Sequence, residues 1–126
     1  MKTPPNNNAA TVDHVSMRFG KDTVLHKVSI AFQEGQIHGI IGRNGSGKTV
    51  LFKCICGFLK PSTGIVTVFD RIVGKDVDFA PSTGMLIEAP GFLPGESGFK
   101  NLRWLSRIGE RLSQERLYEV MRLVGL

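Results

Sequence analysis

The chain has 126 residues, of which 41% are hydrophobic and 21% charged, values that suit one folded domain and argue against a disordered chain. No apolar stretch approaches the ~20 residues of a membrane-spanning helix, and the N-terminal MKTPPNNNAA lacks the apolar region of a secretory signal, so a cytosolic address is expected. Sixteen Lys and Arg against eleven Asp and Glu leave a charge of +5, which is compatible with several anionic partners and selects none of them.

Residues 1–10 are polar and rich in Pro and Asn and read as a loose tail. Thr11 to Phe19 alternates as a strand and ends at Gly20. A second strand is predicted from Val24 to Phe32, with Val24, His26, Val28 and Ile30 on one face and Leu25, Lys27, Ser29 and Ala31 on the other. After a turn at Gln33-Glu34-Gly35, the apolar run Gln36 to Ile41 predicts a short strand buried on both faces. A glycine-rich loop covers Gly42 to Gly47. Lys48 to Leu59 is apolar nearly all round and predicts a helix against a sheet, broken at Lys60 to Gly64.

Ile65 to Phe69 predicts another strand, followed by a polar stretch through Ser82, a short strand from Gly84 to Glu88, and a Pro/Gly-rich loop from Ala89 to Gly98. Two helices are expected at the end. Leu102, Leu105, Ile108 and Leu112 mark the first, with a break at Gly109; Leu117, Val120, Met121 and Val124 mark the second. Cys54 and Cys56 stand two apart, a spacing that points in different directions on a helix, so they read as reduced core thiols without a shared metal.

Chemistry concentrates in GRNGSGKT, Gly42 to Thr49, which fits G-x-x-x-x-G-K-[ST]. Backbone N–H groups can surround a phosphate chain only where the backbone curls tightly, and the glycines permit that curl. The helix beginning near Gly47 points its positive end at the phosphates. Lys48 adds a point charge, and the Thr49 hydroxyl suits Mg²⁺. The apolar run before the loop and the apolar helix after it are the setting such a loop requires.

Phe19-Gly20, the run VLHKVSIAFQEGQIHGIIGRNGSGKT and FLKPSTGIVTVF together resemble the ATP-binding domain of ABC transporters, over about residues 11–126. The resemblance implies that Phe19 stands where the family has an adenine-stacking Tyr, and Phe stacks equally well without the hydroxyl. It also implies that Gly42, Arg43, Asn44, Gly45, Ser46, Gly47, Lys48 and Thr49 hold the phosphates. Glu88 stands where a Gln usually contacts Mg²⁺ and the attacking water. A carboxylate there is a stronger Mg²⁺ ligand that accepts but does not donate. LIEAPGFLPGESGFKNL, Leu86 to Leu102, resembles the subset that handles bacitracin, lantibiotics and similar peptides, where Glu is usual.

The LSGGQ signature, the Walker B strand ending in Asp-Glu and the His of the switch loop are not found within the 126 residues. Leu112-Ser113-Gln114-Glu115-Arg116 begins like the signature but lacks its glycines; Ser113 reads instead as a helix cap with Glu115 in the first turn. Asp70 ends Val-Thr-Val-Phe-Asp and would hold Mg²⁺ through water in a compact P-loop kinase, although Thr67 and the preceding Pro-Ser-Thr-Gly fit a hairpin strand better. His14, His26 and His38 read as structural strand residues. Arg103, Arg107 and Arg111 recur every four residues and predict one helix face, either solvated or in contact with acidic lipid or a membrane subunit, with Trp104 beside it. No aromatic–basic interleaving suggests nucleic-acid binding.

The expected fold is α/β: a P-loop NTPase core to about residue 88 with an N-terminal antiparallel β portion, a Q-loop-like segment at 86–98, and the start of a helical subdomain at 99–126, C-terminally truncated. Open sheet edges then make the isolated chain marginal or aggregation-prone. The resemblance implies a subunit that binds ATP and Mg²⁺, dimerises with a second ATP-binding subunit and drives a separate transmembrane permease from the inner face of the membrane. Export of, or protection from, peptide antibiotics is the implied role. The alternatives are a nucleotide-binding module without ATPase activity and a stand-alone kinase using Asp70.

Overall fold

The computed structural model describes residues 7–86, 91–107 and 111–126. They fall into two compact units, dividing after residue 87. The first unit is an antiparallel sheet in the order β2-β1-β3-β4 with one helix, α1. Strand β1 spans Asn8–Phe19 and β2 spans Asp22–Gln33. They form a hairpin closed at Phe19 and Asp22 through Gly20-Lys21, with Gly20 at φ +60° as a tight two-residue turn needs. β1 begins three residues earlier than the pattern of the sequence predicts. Asn8 pairs with Gln33, and Ala10 pairs with both Phe32 and Val68, so the ladder reaches into the expected tail.

Side-chain alternation along this hairpin is interrupted by offset bulges. The β1 register slips between Val12 and Val15, and the β2 register slips between Val28 and Leu25, the partners of Val15 and Met17. His14 and Lys27 sit at the slips with φ of +49° and +44°. The extra residues bring Val12, Val15 and Met17 inward together on β1. On β2 they place buried Leu25 on the core side with Val28, Ile30 and Phe32. The expected face of Val24 and His26 is therefore corrected: the one-residue insertion switches the period partway along the strand. Each bulge frees an N–H, and a serine of the opposite strand takes it. His14 N–H donates to Ser29 Oγ at 3.0 Å, and Lys27 N–H donates to Ser16 Oγ at 2.9 Å. Ser29→Ala is expected to cost about 0.5–1 kcal/mol, read from urea denaturation followed by circular dichroism.

Strand β3, Thr63–Val68, pairs antiparallel with β1. It turns through Phe69-Asp70, both with positive φ, into the short β4, Arg71–Ile72. This two-residue hairpin, fixed by backbone handedness, was hidden in the polar stretch of the sequence.

Helix α1, Lys48–Cys56, closes at Gly57, whose N–H donates to Lys53 O at 3.1 Å, three residues short of the predicted end. Its Leu51 and Cys54 enter the cluster of Val12, Val15, Met17, Leu25, Val66 and Val68. Both cysteines are free thiols, Cys54 fully buried and Cys56 half-buried. Burial pushes both thiols above their ordinary value of 9.0. The unfolded chain therefore releases these protons first as pH rises. Stability should hold below about pH 9 and fall as pH climbs through the raised values of the folded state. Thermal melts at stepped alkaline pH, compared with a Cys54→Ala, Cys56→Ala variant that flattens the decline, check this.

Two expected strands are absent as strands. Residues 36–41 pair with no strand among the described residues, and Gly84 to Leu86 likewise, with the remainder of that segment outside the described residues. A strand buried on both faces needs neighbours on both edges, and the described sheet offers none at these positions.

The second unit holds α2, Gly98–Ser106, and α3, Gln114–Leu123. Ser97 caps α2 by accepting the Lys100 N–H, and Ser113 caps α3 by accepting the Arg116 N–H, both at 3.2 Å, with Glu115 in the first turn of α3 as expected. Phe99 and Tyr118 stack at 4.5 Å between ring centres, and Leu117 is buried. Because α2 ends at Ser106 with Arg107 as its C-cap, only Arg103 of the predicted arginine row lies within the helix. The expected break at Gly109 lies outside the described residues.

Candidate functional site: a glycine-rich phosphate-binding loop

Residues 42–47 connect the run 36–41 to α1. The Ser46 N–H donates to Arg43 O at 3.1 Å and closes the turn, with Gly45 at φ +82°. Gly47 is buried at the N-cap of α1 with φ +98°. A Cβ there would lie 3.1 Å from Leu25 Cδ2 and 3.2 Å from both Val24 Cγ1 and the Val24 carbonyl oxygen. Backbone handedness and close packing on the start of β2 therefore both require glycine. No side chain caps this nine-residue helix and no acidic residue stands in its first turn. Its leading N–H groups are thus left for an outside acceptor, at the positive end of the helix. The Lys48 ammonium lies across the loop, donating to the carbonyls of Gly42 and Arg43. Gly42, Arg43, Asn44, Gly45, Ser46 and Thr49 face solvent.

Phe19 ends β1 with a half-exposed ring, opposite Asp22. Val24, against which Gly47 packs, is two residues further along β2, so β2 brings the loop to the end of the hairpin that carries Phe19. Glu88 lies outside the described residues. Asp70 sits at the exposed β3–β4 turn, beside the end of the sheet where Val68 pairs with Ala10. The loop packs at the other end, near Leu25 and its partner Met17. Seven residues of strand, roughly 20 Å, separate these ends, which removes Asp70 as a metal ligand at the loop and with it the kinase reading.

Val24 and Leu25, the platform of the loop, read from the sequence as ordinary strand residues. Asn101 gave no signal, yet its side chain accepts the Leu93 N–H at 2.7 Å and donates to the carbonyls of Ser97 at 3.0 Å and Glu96 at 3.3 Å. It fixes the Leu93–Ser97 loop to the start of α2. Among the described residues no cluster of three His, Cys, Asp or Glu side chains offers a metal site, and no helix is long and apolar enough to cross a membrane. The His38 ring lies edge-on to Phe32 at 5.3 Å.

A tight glycine turn that delivers free N–H groups, a helix N-terminus and a lysine to one point defines a P-loop nucleotide-binding domain. The ABC transporter family profile matches residues 25–126, and the chain belongs to that family, as an ABC transporter ATP-binding domain. It is 35% identical over 113 residues to the uncharacterized ABC transporter ATP-binding protein YybJ of Bacillus subtilis, a match covering 90% of this chain and 52% of that protein. It is 30% identical over 115 residues to the bacitracin transport ATP-binding protein BcrA of Enterococcus faecalis, covering 90% of this chain and 37% of that one. It is 31% identical over 136 aligned positions to the methionine import ATP-binding protein MetN of Brucella abortus, covering all of this chain and 37% of that one. Among solved structures, an ATP-binding cassette of an ABC transporter superposes with TM-score 0.66 at 26% identity, covering 90% of this chain and 46% of that one. The chain thus spans about half, or less, of the length of the proteins it matches.

Proposed function

We propose that this chain binds MgATP and contributes the nucleotide-binding part of a transport ATPase that drives a separate membrane permease. The observation that carries the reading is the buried, left-handed Gly47 cap, which presents an acid-free helix N-terminus with Lys48 across its mouth. This donor set suits an anionic phosphate chain. Backbone N–H groups of Gly45 to Thr49 would bind it, and Lys48 would leave the carbonyls of Gly42 and Arg43 to neutralise it. The Phe19 ring would stack on the base. Mg²⁺, held by the Thr49 hydroxyl and the Glu88 carboxylate, would screen charge between phosphates. The sequence holds no recognisable group to orient an attacking water, so the 126-residue chain alone is proposed to bind ATP without turning it over. ATPase work would involve a second ATP-binding subunit, at the inner face of the membrane.

For cargo, the reading favoured is export of, or protection from, peptide antibiotics. It is supported by the bacitracin transport ATP-binding proteins among the relatives and by the segment Leu86 to Leu102. Titration with a fluorescent ATP analogue tests the base contact. Phe19→Ala should weaken binding about three- to tenfold, the worth of one stacked aromatic, whereas unchanged affinity would remove Phe19 from the site.

A further inference from the structure

The closing pair of the β1–β2 hairpin sets a carboxylate beside the Phe19 ring. Phe19 and Asp22 are direct cross-strand partners, and directly opposite side chains share one face of an antiparallel pair, with Cβ atoms about 5 Å apart. The register decides which face. Met17 pairs with Leu25 and Arg18 with Thr23, so the extra residue is Val24 on β2, and β1 runs without insertion from Met17 to Phe19. Met17 and Leu25 are buried, and Phe19 and Asp22 continue their face two rungs, about 7 Å, nearer the turn. Gly47 packs on that same Leu25. The phosphate loop, the half-exposed ring and the carboxylate thus follow one another along a single face of the hairpin. Asp22 is exposed, and its carboxylate has no hydrogen-bond or ion-pair partner among the described residues. An aromatic ring stacks on any base, whereas a carboxylate favours bases that present donors.

We propose that Asp22 is a specificity-determining residue that reads the edge of the base stacked on Phe19 and gives the site a preference for guanine over adenine nucleotides. The assignment rests on the nucleotide reading of the loop and deepens it. Guanine presents two adjacent donors, N1–H and the 2-amino group, and a carboxylate has two oxygens to accept them. Adenine presents one donor, the 6-amino group, beside the N1 lone pair, which faces the second oxygen without a proton between them. Hypoxanthine keeps the N1–H and lacks the 2-amino group. The expected order is therefore guanine, then hypoxanthine, then adenine, all three held alike by the ring and the phosphate contacts.

The experiment is competition of MgGTP, MgITP and MgATP against a fluorescent nucleotide analogue on the 126-residue chain. GTP should bind about three- to tenfold more tightly than ATP, with ITP between them. Asp22→Asn replaces one acceptor with a donor, so its amide matches the 6-amino group and N1 of adenine, and the variant should reverse the order and favour ATP. Asp22→Ala should bring the three nucleotides to equal affinity. Each preference is a ratio measured on one protein, so a general change in affinity or stability cancels. Equal affinities or tighter ATP in the parent chain, or an order that both variants leave unchanged, would overturn the assignment of Asp22 while leaving the phosphate-loop reading intact. No saturable binding of any of the three would overturn both.

Discussion

Gly64→Ala should cost the first unit about 3–5 kcal/mol, enough to abolish its cooperative melt. Gly64 lies on β3 at φ +88°, and a Cβ there would sit 2.4 Å from the His14 carbonyl oxygen and 2.6 Å from Val15 Cα. Those atoms belong to the bulge of β1, where the register against β3 slips between Asp13 and Ser16. Main-chain atoms cannot move aside as a flexible side chain can, and left-handed φ adds a strain of about 1–3 kcal/mol. The bulge and the glycine are one device: β1 swings toward β3 at His14, and only a residue without a side chain lets it pass. Thermal denaturation followed at 222 nm checks the expectation, with Gly20→Ala as the comparison, since a Cβ at Gly20 would meet nothing within 4 Å. If both variants melted alike, the loss would come from handedness alone and the close approach would be irrelevant.

Lys48→Ala should reduce MgATP affinity by about 2–3 kcal/mol, on the order of 30- to 150-fold, the worth of a charge-assisted contact to a phosphate. Stability should change little, because the Lys48 ammonium bonds only to carbonyls of its own exposed loop. That contrast separates a binding residue from a structural one. Equilibrium dialysis against MgATP, together with a melt of the same variant, measures both quantities. Equal losses of affinity and stability would place Lys48 in the framework of the loop instead.

The glycine loop was legible in the sequence because its chemistry is local. Seven consecutive peptide units need fixed glycines and a lysine at fixed spacing, and no distant residue decides that pattern. The cap at Ser113 is local as well, and the reading of Ser113 and Glu115 as a helix start agrees with the structure. The bulges were not legible. A single inserted residue at His14 or Lys27 shifts the period of the hydrophobic pattern, and the serines that take the freed N–H groups come from the opposite strand. Residues 36–41 show the limit most clearly. Their apolar run reads as a doubly buried strand, but burial depends on neighbouring strands that the described residues do not provide. Asn101 was missed because its role lies in bonds to the backbone of a loop several residues upstream.

The central claim is that Gly42 to Thr49 receives a nucleotide phosphate chain. Titration of the ¹⁵N-labelled chain with MgATP, followed by amide chemical shifts, tests it most directly. Saturable shifts should concentrate at Gly45, Ser46, Gly47, Lys48 and Thr49, with a second group at the Phe19 end of the β1–β2 hairpin, and should be lost in Lys48→Ala. Shifts that leave Gly45 to Thr49 unmoved while Lys48→Ala binds as well as the parent chain would contradict it.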